Sequence, residues 1–165
     1  MKTLLLVLIC CLVAVPLFAE THTVERVIDG DTLLLTNGER VRLIGIDCPE
    51  SKDNAKAQRD SERTGQDIET ITTMGQKATE FAKELVEGEK VRLEFDVQQR
   101  DKYGRLLAYV YIQETVLLPL FLNATIVAEG YASPMTIPPN VKHAEVFQQL
   151  YQEARKNKLG LWRDE

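Results

Sequence analysis

The sequence predicts an α+β domain made of a small five-stranded β-barrel and three α-helices. Five short segments with strand character lie between residues 24 and 112. Helical patterns follow only the third and the fifth of these segments, whereas βαβ units would alternate strand and helix throughout. With 165 residues, of which 44% are hydrophobic, the chain is long enough for one domain with its own core.

The five strands are recognised by apolar alternation and by the turns between them. Asn37-Gly38 is a strong hairpin signal between the second and third strands, so the first three form an antiparallel meander. The fourth alternates apolar and charged side chains, as a half-buried strand does. The predicted strands are residues 24–28, 32–35, 40–46, 91–97 and 105–112.

Three helices and one long loop complete the predicted fold. The helices are expected at residues 72–87, 119–129 and 141–156 because apolar side chains recur there at helical spacing. Residues 51–70 are polar and charged without an apolar period, so they are predicted to be a surface loop. One helix after the third strand and two after the fifth favour an OB-fold, a partly open Greek-key barrel with binding loops at one rim.

Residues 1–19 are predicted to be a signal peptide, which leaves residues 20–165 as the folded domain. Lys2 precedes an uninterrupted apolar run at residues 4–15, which is too short for an ordinary spanning helix, and Ala19 suits a cleavage site. The protein is therefore expected to be exported, either secreted or kept in the periplasm or cell envelope. An uncleaved N-terminal membrane anchor is the alternative. Cleavage leaves Cys48 as the single cysteine, so no internal disulfide is expected.

The overall charge argues against a protein that coats nucleic acid. The formal net charge is −5 at pH 7, and neutralising many phosphates requires an excess of lysine and arginine. A locally basic cleft is still compatible with this balance. The sequence indicates no stable protein partner, and a monomer is expected.

Two acidic pairs lie at the ends of predicted strands. Asp29 and Asp31 share a turn that is either an ordinary β-turn or part of a hard-cation site. Asp47 and Glu50 flank a proline that ends the third strand, and they are either solvated acids or a metal ligand beside a general base. Strict alternation would place Arg42 and Asp47 on opposite faces, so their convergence requires Asp47 to lie beyond the regular strand.

A basic cluster at residues 100–105 is the third candidate feature. It is either a solvated hairpin turn or part of a phosphate site. Arg105 begins a strand, where its guanidinium is held firmly enough to bind a phosphate through two hydrogen bonds. Tyr103 has a ring that can stack on a base.

These three features together, in this order, resemble the thermonuclease (staphylococcal nuclease) family. The resemblance covers nearly the whole chain after the predicted signal peptide. The matching segments are residues 29–32, 42–50 and 101–105, with weaker matches at Asn123 and at residues 130–132, 139–140 and 160–162.

The resemblance implies an OB-fold phosphodiesterase that uses Ca²⁺ to cleave DNA or RNA with low sequence specificity. The side chains of Asp31 and Asp47 would bind the metal, together with the main-chain carbonyl of Cys48. This cysteine stands where the family often has threonine, and the change is tolerable because only the carbonyl oxygen is needed.

The same resemblance implies the catalytic and substrate-binding roles. Glu50 would act as the general base, and Arg42 and Arg105 would hold the phosphate and stabilise the transition state. Lys102 and Tyr103 would contact the substrate.

The sequence also departs from the family pattern. Met135 and Ile137 stand where aromatic residues commonly contact the nucleotide, which bears on base stacking. The segment 51–70 is longer than in the shorter members. Its basic residues are either contacts to the substrate backbone or, as the favoured interpretation, a solvated charge run: Lys52, Lys56, Arg59 and Arg63.

Two rival functions follow from the same residues. The first is a non-catalytic OB-fold module that binds nucleic acid, which the missing aromatic residues favour and the retained Arg42, Glu50 and Arg105 oppose. The second is a glycosidase that uses Asp47 and Glu50 as an acid–base pair. That rival gives the two arginines no role.

Overall fold

The computed structural model describes residues 20–113 and 119–163, so the predicted signal peptide lies outside the described residues. These two ranges contain eight strands, four α-helices and one 3₁₀-helix. The strands are β1 (Thr21–Asp29), β2 (Thr32–Leu35), β3 (Arg40–Leu43), β4 (Gly45–Asp47), β5 (Lys90–Arg100), β6 (Leu106–Ile112), β7 (Leu120–Phe121) and β8 (Ser133–Met135). The helices are α1 (Ala55–Thr64), α2 (Ile68–Val86), α3 (Leu122–Ala128), α4 (Ala144–Lys156) and the 3₁₀-helix Gly160–Trp162.

Strands β1, β2, β3, β5 and β6 form the predicted barrel. Strand β1 pairs antiparallel with both β2 and β5, and the pairs β2–β3 and β5–β6 are also antiparallel. A parallel pairing of β3 with β6 closes the ring. The α+β fold class and the OB-type barrel are therefore confirmed. The short strand β7 extends the sheet beyond β6, and β4 pairs with β8 in a separate two-stranded sheet.

The barrel is filled by the inward-facing side chains of its strands and closed by helices. Burying these side chains supplies the main favourable term for folding. Helix α2 packs against β1, and helix α4 inserts Phe147 beneath β4. Fully buried members of this core include Val24, Leu33, Leu35, Val41, Leu43, Val91, Val110, Leu122, Ile126 and Phe147.

The prediction of a surface loop at residues 51–70 is wrong, and the described part of the chain has four α-helices instead of three. Helix α1 lies inside this segment, and α2 begins at Ile68, earlier than predicted. Helix α1 buries only Ala57, so it has no apolar stripe to reveal it. It is defined by its ends: the Asn54 side chain accepts hydrogen bonds from two main-chain N–H groups, and Gly65 ends the helix with φ of 75°.

The predicted third strand is divided at Ile44, and this division shapes the site described below. Gly45 has φ of +82°, and a Cβ there would lie 2.3 Å from the ring of Phe147, so only glycine fits. The buried Asn123 of α3 donates a hydrogen bond from Nδ2 to the Ile44 carbonyl at 2.9 Å, and its Oδ1 accepts one from Val110 N at 3.0 Å. This side chain therefore satisfies main-chain groups that the break would leave without partners.

None of the helices in the described ranges is long and apolar enough to cross a membrane.

Candidate active site

A cleft of about 580 Å³ opens at one rim of the barrel, which is the expected size and place of a ligand site. Its walls come from the β1–β2 turn, from β3 and β4, from the start of α1, and from the segments around β5, β6 and β8. The structure brings Arg42, Glu50 and Arg105 to this single cleft, as the sequence predicted. Its polar lining includes Asp29, Asp31, Thr32, Arg40, Arg42, Asp47, Glu50, Lys52, Asn54, Lys56, Gln98, Asp101, Arg105 and Asn140.

Arg42 is held by four contacts on the inner wall of the cleft. Its Nη1 donates hydrogen bonds to the carbonyls of Leu43 and Ile46 at 2.9 and 3.0 Å. The guanidinium also forms ion pairs with Asp31 Oδ2 and Asp47 Oδ1, both at 3.0 Å. Burial alone would lower the pKa of Arg42, but the surrounding carboxylates raise it, so the group stays charged.

The strand break explains how Arg42 and Asp47 meet. Alternation along one regular strand would place them on opposite faces. Because the chain turns at Ile44 and Gly45, Asp47 belongs to a new strand whose facing is independent of β3. Arg42 and Asp47 therefore meet, as expected. The regular strand β3 ends at Leu43, however, and not just before Pro49 as the sequence suggested.

Asp31 is a buried carboxylate at the floor of the cleft. It is 7% exposed, and its Oδ2 accepts a hydrogen bond from the main-chain N–H of Cys48 at 3.0 Å. Its Oδ1 accepts another from the Thr32 hydroxyl at 3.0 Å. The two predicted carboxylate ligands, Asp31 and Asp47, thus both pair with the guanidinium of Arg42. Asp31 also binds the main-chain N–H of Cys48, the residue that follows Asp47.

Cys48 enters the site through its main chain. Its thiol is buried, and burial raises the pKa of that thiol well above its ordinary value, so thiolate chemistry is disfavoured. Its carbonyl oxygen accepts a hydrogen bond from Lys56 Nζ at 3.3 Å.

The oxygen atoms around Asp31, Asp47 and Cys48 have the chemistry of a hard-cation site. Ca²⁺ prefers carboxylate and carbonyl oxygens, and the cleft offers both. Within the described residues, no group of three or more His, Cys, Asp or Glu side chains is arranged to hold a metal. The donor set therefore fits Ca²⁺ only if the main-chain carbonyl of Cys48 contributes, which is the role that the family resemblance implies for it. A cation already contacts these oxygens, namely the Lys56 ammonium.

Glu50 is held by donors from the first turn of α1. Its Oε2 accepts a hydrogen bond from Asn54 Nδ2 at 2.7 Å, and its Oε1 pairs with Lys56 Nζ at 2.9 Å. Burial would raise the pKa of Glu50, but these donors outweigh it and lower that pKa, so the carboxylate is ionised at neutral pH. Helix α2 supports the backbone here: a Cβ on Gly75 would lie 2.2 Å from the Glu50 carbonyl.

Lys56 is the residue whose place in the site the sequence did not predict. Its Nζ lies between Asp47 Oδ1 at 3.3 Å and Asp60 Oδ2 at 3.6 Å, in addition to its contacts with Cys48 and Glu50. The surrounding carboxylates raise the pKa of Lys56 despite the cost of burial. It is thus not part of a solvated charge run, unlike the more exposed Arg63, whose side chain is 72% exposed.

Negative charge is crowded around Asp29 and Asp47. Burial, together with the nearby Asp31 and Glu50, raises the pKa of Asp29. Burial also raises the pKa of Asp47, and the neighbouring Lys56 only partly offsets this. A second cation at this position would relieve the repulsion, which agrees with a metal site.

Arg105 lies at the end of the β5–β6 turn and is anchored by one carboxylate. Its Nε donates to Asp101 Oδ2 at 2.6 Å, and its main-chain N–H donates to Asp101 Oδ1 at 3.0 Å. This arrangement lowers the pKa of Asp101 although burial alone would raise it. Because the pairing uses the inner nitrogen, the described contacts leave the terminal nitrogens of Arg105 for an anionic ligand.

Lys102 and Tyr103, the predicted substrate contacts, lie at the tip of this turn and outside the cleft wall. Tyr103 is 73% exposed. The charged ends of Lys102 and Arg105 lie 5.0 and 5.6 Å from the centre of its ring. The tip therefore carries an exposed aromatic ring with two cations near it, beside the cleft.

Met135 and Ile137 form the apolar rim facing the basic residues. They are 38% and 60% exposed, and both line the cleft. The rim is fastened to β5 by Asn140, whose side chain makes two hydrogen bonds of 2.8 Å with the main chain of Gln98. The two positions at which the sequence lacks the family's aromatic residues thus line the cleft itself.

Sequence reasoning missed the supporting residues Asn54 and Gly75, and it gave Asn123 only as a weak match to the family, without a role. Asn54 carried a usable signal, since asparagine is a preferred N-cap residue and good helix formers follow it. Gly75 and Asn123 act across contacts between segments distant in the chain, and no local pattern marks them.

Comparison with known proteins identifies the family. Residues 40–164 match the family model described as staphylococcal nuclease homologue. The chain is 37% identical to the thermonuclease of Staphylococcus intermedius and 34% identical to that of Staphylococcus hyicus, each over 147 residues, 87% of this chain and 76% of the relative. It is 36% identical over 145 residues to the endonuclease YncB of Bacillus subtilis (strain 168), covering 85% of this chain and 60% of that protein. The chain belongs to the staphylococcal nuclease family.

Proposed function

We propose that this chain is an exported, Ca²⁺-dependent nuclease that hydrolyses phosphodiester bonds in DNA or RNA with low sequence specificity. Its class, a hydrolase of the nuclease type, follows from the family and from relatives named thermonuclease and endonuclease. The observation that carries the reaction is the meeting of Arg42, Glu50 and Arg105 at one cleft lined by oxygen donors.

The metal would be held by the side chains of Asp31 and Asp47 and the carbonyl of Cys48. When bound, Ca²⁺ supplies positive charge that stabilises the developing charge of the phosphoryl oxygens. The donor set supports this assignment because it consists of hard oxygen atoms crowded with negative charge.

Glu50 is the proposed general base. It would take a proton from the attacking water as the new P–O bond forms and the bond to the leaving oxygen breaks, with solvent protonating that oxygen. Its lowered pKa keeps the carboxylate ready to accept the proton at neutral pH. General-base catalysis of this kind contributes about 10²–10⁴-fold in rate.

Arg42 and Arg105 are proposed to stabilise the charge-rich transition state from two sides. Each guanidinium would donate hydrogen bonds to non-bridging phosphate oxygens, and losing one such donor typically costs about 10²–10³-fold in rate. Arg42 reaches the cleft from β3, and Arg105 from the β5–β6 turn. Contacts to phosphate carry no sequence information, which agrees with low specificity.

Substrate binding is proposed to extend to the turn that carries Lys102 and Tyr103. The exposed Tyr103 ring is suited to stacking on a base, and Lys102 to contacting a backbone phosphate. Stacking of this kind tolerates any base.

Export is proposed from the predicted signal peptide at residues 1–19, and the protein is proposed to act as a monomer. The single cysteine of the described residues, Cys48, is free and buried in the core. The described fold therefore contains no internal disulfide.

The test is a cleavage assay with purified protein on single-stranded DNA and on RNA. Cleavage in millimolar Ca²⁺ that stops with a Ca²⁺ chelator is the expected result. Failure to cut either nucleic acid in Ca²⁺ would contradict the proposal. Binding without cleavage would identify the non-catalytic binding module instead.

A further inference from the structure

We propose that Lys56 is a built-in counter-ion of the metal site, which competes with Ca²⁺ for the same oxygen atoms and so sets the affinity for the metal. This inference rests on the proposed function, because it assumes that Asp47 and Cys48 provide Ca²⁺ ligands. It assigns a role to helix α1, the element that the sequence pattern did not reveal.

The first observation is the set of atoms around Lys56 Nζ. The ammonium lies 3.3 Å from Asp47 Oδ1 and 3.3 Å from the Cys48 carbonyl oxygen, two of the proposed Ca²⁺ ligands. It also lies 2.9 Å from Oε1 of Glu50, the proposed base. Its surroundings are those of a cation bound by carboxylate and carbonyl oxygens.

The second observation is the position of Lys56 in its helix. It is the second residue of α1, whose N-terminal end carries partial positive charge, so a lysine is disfavoured there. The first turn of α1 contains no acidic residue to compensate. The carboxylates of Asp47, Glu50 and Asp60 supply that compensation from across the cleft and from the next turn.

Distances show why the two cations interfere. A Ca²⁺ ion bound to Asp47 Oδ1 or to the Cys48 carbonyl lies at most about 2.6 Å from that oxygen, and Nζ lies 3.3 Å from either one. The two cations are therefore no more than about 5.9 Å apart while both contacts last. Even with the dielectric constant of bulk water, repulsion between charges of +2 and +1 at that distance weakens binding about tenfold.

The same geometry gives Lys56 a role when the metal is absent. Its side chain is 28% exposed, whereas those of Asp47 and Glu50 are only 20% and 18% exposed. Without Lys56, Asp47 would keep only Arg42 as a cationic partner, and Glu50 would lose the ion pair that it makes with Lys56. Lys56 thus keeps the metal-free cleft folded, and its flexible four-carbon stem lets the ammonium withdraw when Ca²⁺ enters.

The test compares Ca²⁺ binding by the wild-type protein and the Lys56→Met variant, using isothermal titration calorimetry at low ionic strength without nucleic acid. Low salt is needed because screening weakens charge repulsion. The matched control is Lys52→Met, which removes an exposed lysine from the wall of the same cleft. We expect Lys56→Met to bind Ca²⁺ about tenfold more tightly than wild type, with Lys52→Met close to wild type.

Thermal unfolding provides a second readout. In a chelator, Lys56→Met should unfold at a lower temperature than wild type, because Asp47, Glu50 and Asp60 each lose one cationic partner. Added Ca²⁺ should raise its unfolding temperature by more than it raises that of wild type, since tighter binding to the folded state stabilises it more. Far-UV circular dichroism verifies that the variant is folded at the temperature of the titration.

A third variant, Asp47→Asn, separates this inference from the proposed function. If Asp47→Asn abolishes Ca²⁺ binding while Lys56→Met binds no more tightly than wild type, the metal site stands and the counter-ion role is refuted. If Asp47→Asn leaves Ca²⁺ binding unchanged, the proposed metal site is itself wrong and the inference falls with it.

Discussion

Replacing Arg42 by methionine should strongly destabilise the metal-free protein. The side chain of Arg42 is only 14% exposed, and it pairs with Asp31, whose side chain is 9% exposed, and with Asp47. Breaking a buried ion pair by removing one partner costs about 3–5 kcal/mol. Asp47 would keep its contact with Lys56, but the ion pair of Asp31 would be lost. The acids here also repel each other, so we expect a loss of at least about 3 kcal/mol.

That loss converts to a shift in unfolding temperature that is easy to measure. For a domain of this size, 1 kcal/mol corresponds to about 2–4 °C, so Arg42→Met should unfold about 6–12 °C below wild type in a chelator. Millimolar Ca²⁺ should recover part of this difference, because a metal on the same carboxylates replaces the lost positive charge.

The assay is thermal unfolding followed by circular dichroism, with and without Ca²⁺. The control is Arg40→Met, which removes an exposed arginine from the same strand and the same cleft. Arg40→Met should stay within about 1 °C of wild type, as is usual for surface changes. If Arg42→Met and Arg40→Met had the same unfolding temperature, the two ion pairs of Arg42 would not stabilise the site as described.

Three further changes test other parts of the account. Ile137→Tyr should place a stacking face at the rim and lower KM for single-stranded DNA about fivefold or more. The control is Val146→Tyr on α4, outside the cleft lining, which should leave KM unchanged. Equal KM values for the two variants would contradict a rim that contacts the bases. Asp29→Asn should raise the unfolding temperature in a chelator by about 2–4 °C. The reason is that burial and neighbouring carboxylates raise the pKa of Asp29, so its charged form is disfavoured in the folded protein. An unchanged or lower unfolding temperature would refute this explanation. Lys142→Met should lower the free energy of unfolding only slightly at pH 7, as expected for a partly exposed ion pair. Lys142 lies 2.6 Å from Glu94 and helps to lower the pKa of Glu94 from its ordinary value of 4.5, although burial opposes this. A lowered carboxylate pKa stabilises the fold above the unfolded-state pKa, so the difference from wild type in urea unfolding should vanish as the pH falls through the lowered value. A difference between Lys142→Met and wild type that persists at lower pH would contradict this role of the ion pair.

The barrel was predictable because its strands carry their own evidence. Alternating burial and the Asn37-Gly38 turn specify strands and their order, and the pairing follows from a small set of allowed topologies. The candidate residues Arg42, Glu50 and Arg105 were predictable because their segments, residues 42–50 and 101–105, match the family pattern. What the strands could not specify was the division at Ile44, which depends on Asn123 and on a helix packed from the far end of the chain.

Helix α1 shows a different limit of sequence reasoning. Its stability comes from the Asn54 cap and from charged pairs along its surface, so no apolar period marks it. The basic residues of this segment were consequently interpreted as one solvated run. Only the three-dimensional arrangement separates Lys56, which contacts three oxygen atoms of the site, from Arg63, which pairs only with Asp60 among the described ion pairs.

Glu50 is the proposed base for phosphodiester cleavage in this cleft. The most direct measurement is the single-turnover cleavage rate of Glu50→Gln on single-stranded DNA at saturating Ca²⁺. Glu50→Gln should cleave about 10²–10⁴-fold more slowly than wild type, while far-UV circular dichroism shows that the variant is folded at the assay temperature. A rate within about threefold of wild type would contradict the assignment of Glu50 as the base.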